Sequence, residues 1–234
     1  MRGRLLGLLL VSIPFSPLCA EMPEVQAHEA IALINIARQS HTEGYFSRAE
    51  AQYRRALAIL EQASGAQSPD LTPALNGLAE LYFDAGRYTE AEALSRRSAA
   101  VVEAGLGPAH PLMATALHNL AAIYHMQGQC DKAGPLYRRA LAIRENTLGP
   151  NHPFVAVTLM DLAGMETAQG NYDRATEHYA RAVQIRQDAF GKDDPRVAEA
   201  LAGYAKVLRK TCHRLETAKV EARSREILAK TAFR

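Results

Sequence analysis

The sequence of 234 residues predicts an all-α fold, an α-solenoid of about five antiparallel helix pairs. A proline and a glycine each recur at a fixed interval of 42 residues, and the apolar residues between them recur at steps of three and four. Alanine and leucine, which favour helix, are abundant. The markers are Pro69, Pro111, Pro153 and Pro195, with Gly44, Gly86, Gly128 and Gly170. An interval of this length indicates repeated units that pack on one another.

The interval divides the chain into five units, and each is expected to hold two helices. The approximate bounds of the units are 25–67, 68–109, 110–151, 152–193 and 194–231. In the third unit, the apolar positions of the first helix are Leu112, Ala116, Leu117, Leu120, Ala121 and Tyr124. Those of the second helix are Ala133, Leu136, Tyr137, Ala140, Leu141 and Ile143. Each set follows one face, so both helices are expected to be amphipathic.

The segment LGPNHP at residues 148–153 separates two units, and LGPAHP and FGKDDP stand at the equivalent places. Glycine ends a helix because it tolerates the left-handed backbone, and proline suits the first turn of the next helix. The residue before the proline is then an N-cap. Ser68 and Asp194 are preferred caps, whereas His110 and His152 are poorer ones. This exchange of residue types favours a structural joint over a ligand-binding histidine.

Alanines also recur at matched places in both helices of a unit. They are Ala37, Ala79, Ala121 and Ala163 in the first helices, and Ala49, Ala91, Ala133 and Ala175 in the second helices. Small side chains at these places let two helix backbones approach closely. We expect Ala133→Leu to lower the thermal stability, because overpacking typically costs about 1 to 3 kcal/mol.

Residues 1–20 have the layout of a secretory signal peptide, with Arg2 and Arg4 before an apolar run and small residues at the end. We expect cleavage after Ala20 and a periplasmic or secreted protein. Cys19 offers a lipoprotein alternative, which is disfavoured by the bulky residue before it. The apolar run is about half of the roughly 20 residues that a membrane-spanning helix needs, so no integral span is expected after cleavage.

Charge argues against two classes of partner. Loss of the leader removes two of the 27 basic residues and none of the 25 acidic ones, which leaves 25 of each. A chain near neutrality does not support a nucleic acid partner or a polybasic membrane patch.

Cys130 and Cys212 would remain in the mature chain, two repeats apart. Stacked helices are separated by about 8 to 10 Å each, whereas a disulfide needs Cα atoms within about 7 Å. We therefore expect two free thiols, with Cys130 buried at a core place that an aromatic residue usually occupies.

The fourth unit combines apolar, glycine and aromatic residues at Leu162, Ala163, Gly170, Tyr172, Ala175, Tyr179 and Ala182. Their spacing resembles that of the tetratricopeptide repeat. An interval longer than the usual length of about 34, with LGPNHP between units, is similar to the kinesin-light-chain type of this repeat. The resemblance covers about residues 25–231. It weakens in the last unit, where Cys212, Thr217 and Glu221 stand at the glycine, alanine and tyrosine positions, as in a terminal capping repeat.

This resemblance implies a right-handed superhelix with a concave groove lined mainly by the first helix of each unit. It also implies a non-enzymatic scaffold that binds a peptide or a partner protein and needs no cofactor. The implied groove positions are Ile34, Asn35, Arg38, His41, Asn76, Glu80, Phe83, Asp84, His118, Asn119, Ala122, His125, Met126, Met160, Asp161, Gly164, Lys206, Arg209 and Lys210. The lysine and asparagine clamp by which some relatives hold a C-terminal carboxylate is not reproduced at matching positions.

The sequence gives little support for a metal site or for a catalytic site. His118 and His125 are the best metal candidates, but seven residues rise about 10.5 Å along a helix, too far for one zinc ion. No HExxH, CxxC, GxSxG or phosphate-binding glycine loop occurs. We therefore expect no metal site and no catalytic activity.

A second class of function stays open beside the peptide-binding scaffold. The chain could serve as a structural module that forms a homodimer, or docks a partner, through its convex face or its last helix, KVEARSREILAKTAF. The fold supplies a surface, and the identity of the partner does not follow from it.

Overall fold

The computed structural model describes residues 24–232 of the chain. The predicted signal peptide, its cleavage after Ala20 and the alternative at Cys19 lie outside these residues. The predicted all-α class is confirmed, because residues 24–232 form helices packed in adjacent pairs and contain no strand. Among these residues, no helix has the length and apolar character needed to cross a membrane.

Ten α-helices follow one another in the described residues. They are α1 (Glu24–Thr42), α2 (Phe46–Ser64), α3 (Thr72–Asp84), α4 (Tyr88–Leu106), α5 (Pro111–Met126), α6 (Cys130–Leu148), α7 (Pro153–Ala168), α8 (Tyr172–Phe190), α9 (Pro195–Lys210) and α10 (Arg214–Ala232). A 3-10 helix, Pro69–Leu71, precedes α3. Connections of three residues join α1 to α2 and α3 to α4, which makes the two helices of a pair antiparallel.

The chain divides into two compact units, whose described parts are residues 24–136 and residues 137–232. In the first, α1 packs with α2 and α3 with α4, and α2 and α4 each contact the first helix of the next pair. In the second, α7 packs with α8 and α9 with α10, while α8 also contacts α9. The α-solenoid arrangement predicted from the interval is therefore observed within each unit.

Each unit has its own apolar core. In residues 24–136 the core includes Ala37, Ala49, Tyr53, Leu75 and Ala91. In residues 137–232 it includes Leu159, Ala163, Ala175, Tyr179 and Ala200. The alanines of both cores are fully buried, as their place between closely packed helices requires.

The joints between repeats have the predicted capping role. Nδ1 of His110 accepts a hydrogen bond of 3.2 Å from the backbone N–H of Leu112, and Asp194 accepts one of 2.9 Å from that of Arg196. Histidine therefore caps here although it is not a preferred residue type. The second repeat differs, because Ser68 caps the 3-10 helix and α3 begins only at Thr72.

Cys130 and Cys212, the two cysteines of the described residues, are free thiols, as predicted. Cys130, however, is half-buried, and the prediction of a buried side chain is wrong. It is the first residue of α6, where the chain has just left a turn and cannot be enclosed on every side. Cys212 is exposed and has a φ of 61°, the left-handed conformation that glycine adopts at the equivalent places.

Tyrosine hydroxyls connect the first helix of one pair to the second helix of the pair before it. The Tyr82 hydroxyl donates a 2.7 Å hydrogen bond to Glu50 and accepts one of 2.8 Å from Arg54. The Tyr124 hydroxyl makes the equivalent bonds to Glu92 and Arg96. The hydrogen bond from Tyr82, together with nearby arginines, lowers the pKa of Glu50 despite partial burial.

An arginine on the second helix of a repeat also donates a hydrogen bond to a backbone carbonyl 31 residues earlier. This carbonyl lies in the loop between that repeat and the one before it. The donor and acceptor pairs are Arg97 with Ala66 at 3.1 Å, Arg181 with Pro150 at 2.9 Å, and Arg223 with Lys192 at 3.1 Å. The arginines stand at equivalent places of the 42-residue interval.

Candidate functional site

The predicted groove positions of the first three repeats lie on neighbouring helices, since α1 packs beside α3 and α3 beside α5. We call these positions on α1, α3 and α5 the groove face. Its buried members are Ile34, Asn76, His118, Asn119 and Ala122. Its half-buried members are Arg38, His41, Glu80, Phe83 and His125, and its exposed members are Asn35, Asp84 and Met126. The side chains of the groove face therefore range from exposed to buried, and some of the buried ones are polar.

Two buried amides on the groove face have atoms without a partner. Asn76 and Asn119 are only 6% and 9% exposed. Oδ1 of Asn76 and Nδ2 of Asn119 form no hydrogen bond within the described part of the chain. A buried polar group without a partner costs about 1 to 3 kcal/mol, so a ligand that supplied the missing donor and acceptor would recover this free energy.

The side chain at position 119 depends on a residue of the preceding helix. In the second repeat the equivalent position is Gly77, where an added Cβ would lie 2.5 Å from Cζ of the Tyr53 ring. At the places 42 residues further on, Ser95 stands for the tyrosine and Asn119 for the glycine. The smaller serine leaves the room that the asparagine side chain needs.

A cluster of three ionisable groups connects α1 to α3. Nε2 of His41 lies 2.9 Å from Oδ2 of Asp84, and a carboxylate oxygen of Glu80 lies within 4.8 Å of both. Burial and the neighbouring Asp84 carboxylate raise the pKa of Glu80 to about 8, although Arg38 acts in the opposite direction. Arg38 itself donates to Oδ1 of Asn35 at 3.3 Å.

Apolar and aromatic groups border these polar residues. The Phe83 ring meets Tyr88 edge to face, with centroids 5.6 Å apart, and His41 meets Phe46 in the same manner at the same distance. Met126 is 55% exposed at the last residue of α5. Methionine is flexible and polarisable, so it adapts to apolar side chains of different shapes.

The predicted positions in residues 137–232 have a different character. Met160 is buried in the core formed by α7, α8 and α9 about as deeply as Asn76, but it has no N–H or O–H group to offer a ligand. Asp161 and Gly164 are half-buried on α7. Lys206, Arg209 and Lys210 are exposed on α9. Arg209 makes an ion pair of 3.1 Å with Glu221 of α10, which partly neutralises the predicted basic cluster.

Two functional features were missed by reasoning from the sequence. Asp84 was placed on the groove, but its meeting with His41 and Glu80 was not foreseen. The signal was present, because Glu80 and Asp84 are four residues apart on one helix face and the 42-residue interval places His41 beside them. The unpaired amide atoms have no such signal, since hydrogen bonding depends on the packed structure.

The helix pairs, their glycine and proline joints and the groove face define a repeat protein of the α-solenoid class. The sequence pattern of the tetratricopeptide repeat matches residues 28–104, 70–146, 112–186 and 154–219. This chain belongs to the tetratricopeptide repeat family. Members of this family are typically scaffolds that bind protein partners. A search of curated proteins found no match to the sequence.

Solved structures of similar fold include kinesin-light-chain-like proteins. A Podosopora anserina protein described as a kinesin light chain with nearly identical TPR-like repeats is 24% identical, with a TM-score of 0.73 over 91% of this chain and 100% of that one. BtubC (BKLC) from P. vanneervenii is 23% identical, with a TM-score of 0.73 over 93% of each chain. PilF of Pseudomonas aeruginosa is 17% identical, with a TM-score of 0.64 over 86% of this chain and 78% of that one. At these identities the similarity concerns the fold.

Proposed function

We propose that this chain is a non-enzymatic scaffold that binds an extended peptide segment of a partner protein along the groove face of α1, α3 and α5. The observation that carries the proposal is the pair of buried, unpaired amide atoms, Oδ1 of Asn76 and Nδ2 of Asn119. An extended peptide presents backbone N–H and C=O groups along its length, which are the donor and acceptor that these two atoms lack.

The surroundings of the amides indicate what kind of peptide would fit. Exposed Met126 offers an apolar contact at one side, while Arg38 and Asp84 present charges of opposite sign at the other. We expect a segment with an apolar anchor and at least one charged side chain. Backbone hydrogen bonds would supply affinity with limited sequence preference, and these side chains would supply the remaining selectivity.

The proposal also covers the compartment of the protein and its lack of enzymatic activity. We propose export to the periplasm or the outside of the cell, on the basis of the residues that precede Glu21. Family members typically act as scaffolds, which supports a binding function without a cofactor or a catalytic step. N-terminal sequencing of the protein from a periplasmic or culture fraction tests the export: a chain that begins at Glu21 supports it, and an intact leader in the cytoplasm contradicts it.

Peptide binding is tested with peptides selected from a displayed library against the purified chain. Asn119→Ala should weaken the selected peptide about tenfold or more, because a buried hydrogen bond to the ligand is lost. The variant also removes an unpaired donor, so its stability should be unchanged or higher. Asn146→Ala is the matched control, because Asn146 is an exposed asparagine on α6, a second helix. Equal affinities of the two variants would contradict the proposed groove.

A second candidate function is self-association through α10. Leu215 and Leu228 on this helix are large apolar side chains that are 83% and 51% exposed. Light scattering after size-exclusion chromatography tests this candidate. A dimer that becomes a monomer on Leu215→Glu and Leu228→Glu substitution supports it, and a monomeric parent chain excludes it.

A further inference from the structure

His41, Glu80 and Asp84 form a compact set of potential metal ligands in the first unit of the chain. Each contributes one donor atom, and the three donor atoms lie within 4.8 Å of one another. His41 belongs to the last turn of α1, and Asp84 is the last residue of α3. The backbone carbonyls at the ends of these helices carry partial negative charge, which favours a cation at this place.

We infer that His41, Glu80 and Asp84 bind one divalent transition-metal ion, for which zinc is the best fit. One imidazole nitrogen and two carboxylate oxygens are a donor set that zinc accepts, whereas an all-oxygen set would suit magnesium or calcium. Ligand atoms at about 2.0 to 2.2 Å from a tetrahedral zinc ion stand about 3.3 to 3.6 Å apart. The 2.9 Å between Nε2 of His41 and Oδ2 of Asp84 is shorter than this value, and all three donor atoms lie within 4.8 Å of one another, so small side-chain movements would seat the ion. A water molecule would take the fourth position.

The position of Glu80 beside Asp84 also favours a cation at this place. Its side chain is half-buried, and one of its carboxylate oxygens lies within 4.8 Å of the donor atoms of His41 and Asp84. Two carboxyl groups this close repel each other when both are ionised. A divalent ion between them would replace this repulsion by attraction to both.

The His41 ring is positioned for such a role. Its Nε2 atom is the one directed at Asp84, and the Phe46 ring contacts it edge to face with centroids 5.6 Å apart. The other reading of the same geometry is an ordinary histidine and aspartate pair. The two readings differ in what they predict for Glu80, which takes no part in that pair but would be a ligand of the metal.

The site would connect the first helix of one repeat to the first helix of the next. Packing of α1 on α2 and of α2 on α3 already joins these repeats. A metal ion would add a direct bond between α1 and α3 on the groove face. Because the ion binds only when both helices are in place, its binding would stabilise the folded form of this part of the chain.

The test is a titration of the tag-free chain with zinc, followed by calorimetry and by metal analysis after dialysis. Cys130→Ser and Cys212→Ser are included in every variant, so that thiols do not bind the metal. We expect about one zinc ion per chain and a rise in melting temperature that EDTA reverses. His41→Ala, Glu80→Gln and Asp84→Asn should each weaken binding about tenfold or more, because each removes a ligand.

His178→Ala is the matched control for a histidine that meets a carboxylate. Nδ1 of His178 lies 2.8 Å from Oε2 of Glu166 in the second unit, and no third ligand joins them in the described residues. This variant should bind zinc like the parent chain. Circular dichroism without metal checks that Glu80→Gln and Asp84→Asn are folded. Absence of saturable binding below about 1 mM zinc would overturn the inference, as would parent-like affinity of the folded Glu80→Gln variant.

Discussion

Substitution of two glycines on either side of Tyr179 should change the stability in opposite directions. Gly164 on α7 and Gly203 on α9 both lie in helix interiors beside this buried ring. A Cβ at position 203 would lie 2.9 Å from Cζ of Tyr179 and 3.1 Å from its hydroxyl oxygen. A Cβ at position 164 would meet only the hydroxyl oxygen, at an ordinary distance of 3.5 Å.

The size of the two effects follows from helix propensity and packing. Alanine is favoured over glycine in a helix interior by about 1 kcal/mol, and nothing opposes this gain at Gly164. At Gly203 the ring would have to move within a packed core, and overpacking costs about 1 to 3 kcal/mol. Because the ring is enclosed between helices, we expect the upper half of that range and a net loss of about 1 to 2 kcal/mol for Gly203→Ala.

Thermal unfolding followed by circular dichroism at 222 nm measures both variants. One kcal/mol shifts the melting temperature of a chain of this length by about 2 to 4 °C. Gly164→Ala should therefore melt about 2 to 4 °C above the parent, and Gly203→Ala about 2 to 8 °C below it. Tyr179→Leu in the Gly203→Ala background removes the clash, so the cost of the alanine should disappear in a double-mutant cycle. If Gly203→Ala melts at or above the parent temperature, the packing argument is wrong.

Substitutions at three further positions test other features. Cys212→Gly should raise the stability by about 0.5 to 1 kcal/mol because it relieves a left-handed conformation, while Cys212→Ala should not, and thermal melting separates the two. Ala133→Leu should lower the stability by about 1 to 3 kcal/mol because Ala133 is fully buried, and an unchanged melting curve would count against the repeat register. Tyr82→Phe should cost about 1 kcal/mol and raise the pKa of Glu50 toward its ordinary value, which NMR titration of the carboxylate measures.

The helix pairs could be predicted because glycine and proline act locally. Gly128 ends a helix through its own backbone conformation, and Pro111 begins one through its fixed φ, so both signals can be read without the rest of the fold. The 3-10 helix Pro69–Leu71 escaped this reasoning. The proline there starts a turn of different pitch, and only Thr72 begins the α-helix.

The groove was harder to predict because exposure depends on neighbours. Met160 occupies a groove position in the repeat pattern, yet it is buried by the helices packed around it. Asn119 has room for its side chain because Ser95 stands where other repeats have tyrosine, a relation between two helices that a single-helix pattern does not contain. His41 and Asp84 likewise meet only when consecutive repeats stack.

The arginines that bind carbonyls 31 residues earlier affect which mutations the loops between repeats tolerate. Their acceptors are main-chain carbonyls of Ala66, Pro150 and Lys192, three residues that share no side-chain chemistry. Every amino acid carries this acceptor, so the loop is free to mutate while the bond persists, provided that its length is kept. In a duplicated repeat the arginine would again have a main-chain carbonyl as its acceptor, whatever the sequence of the loop. An insertion of one residue in the loop would be more harmful than most replacements there.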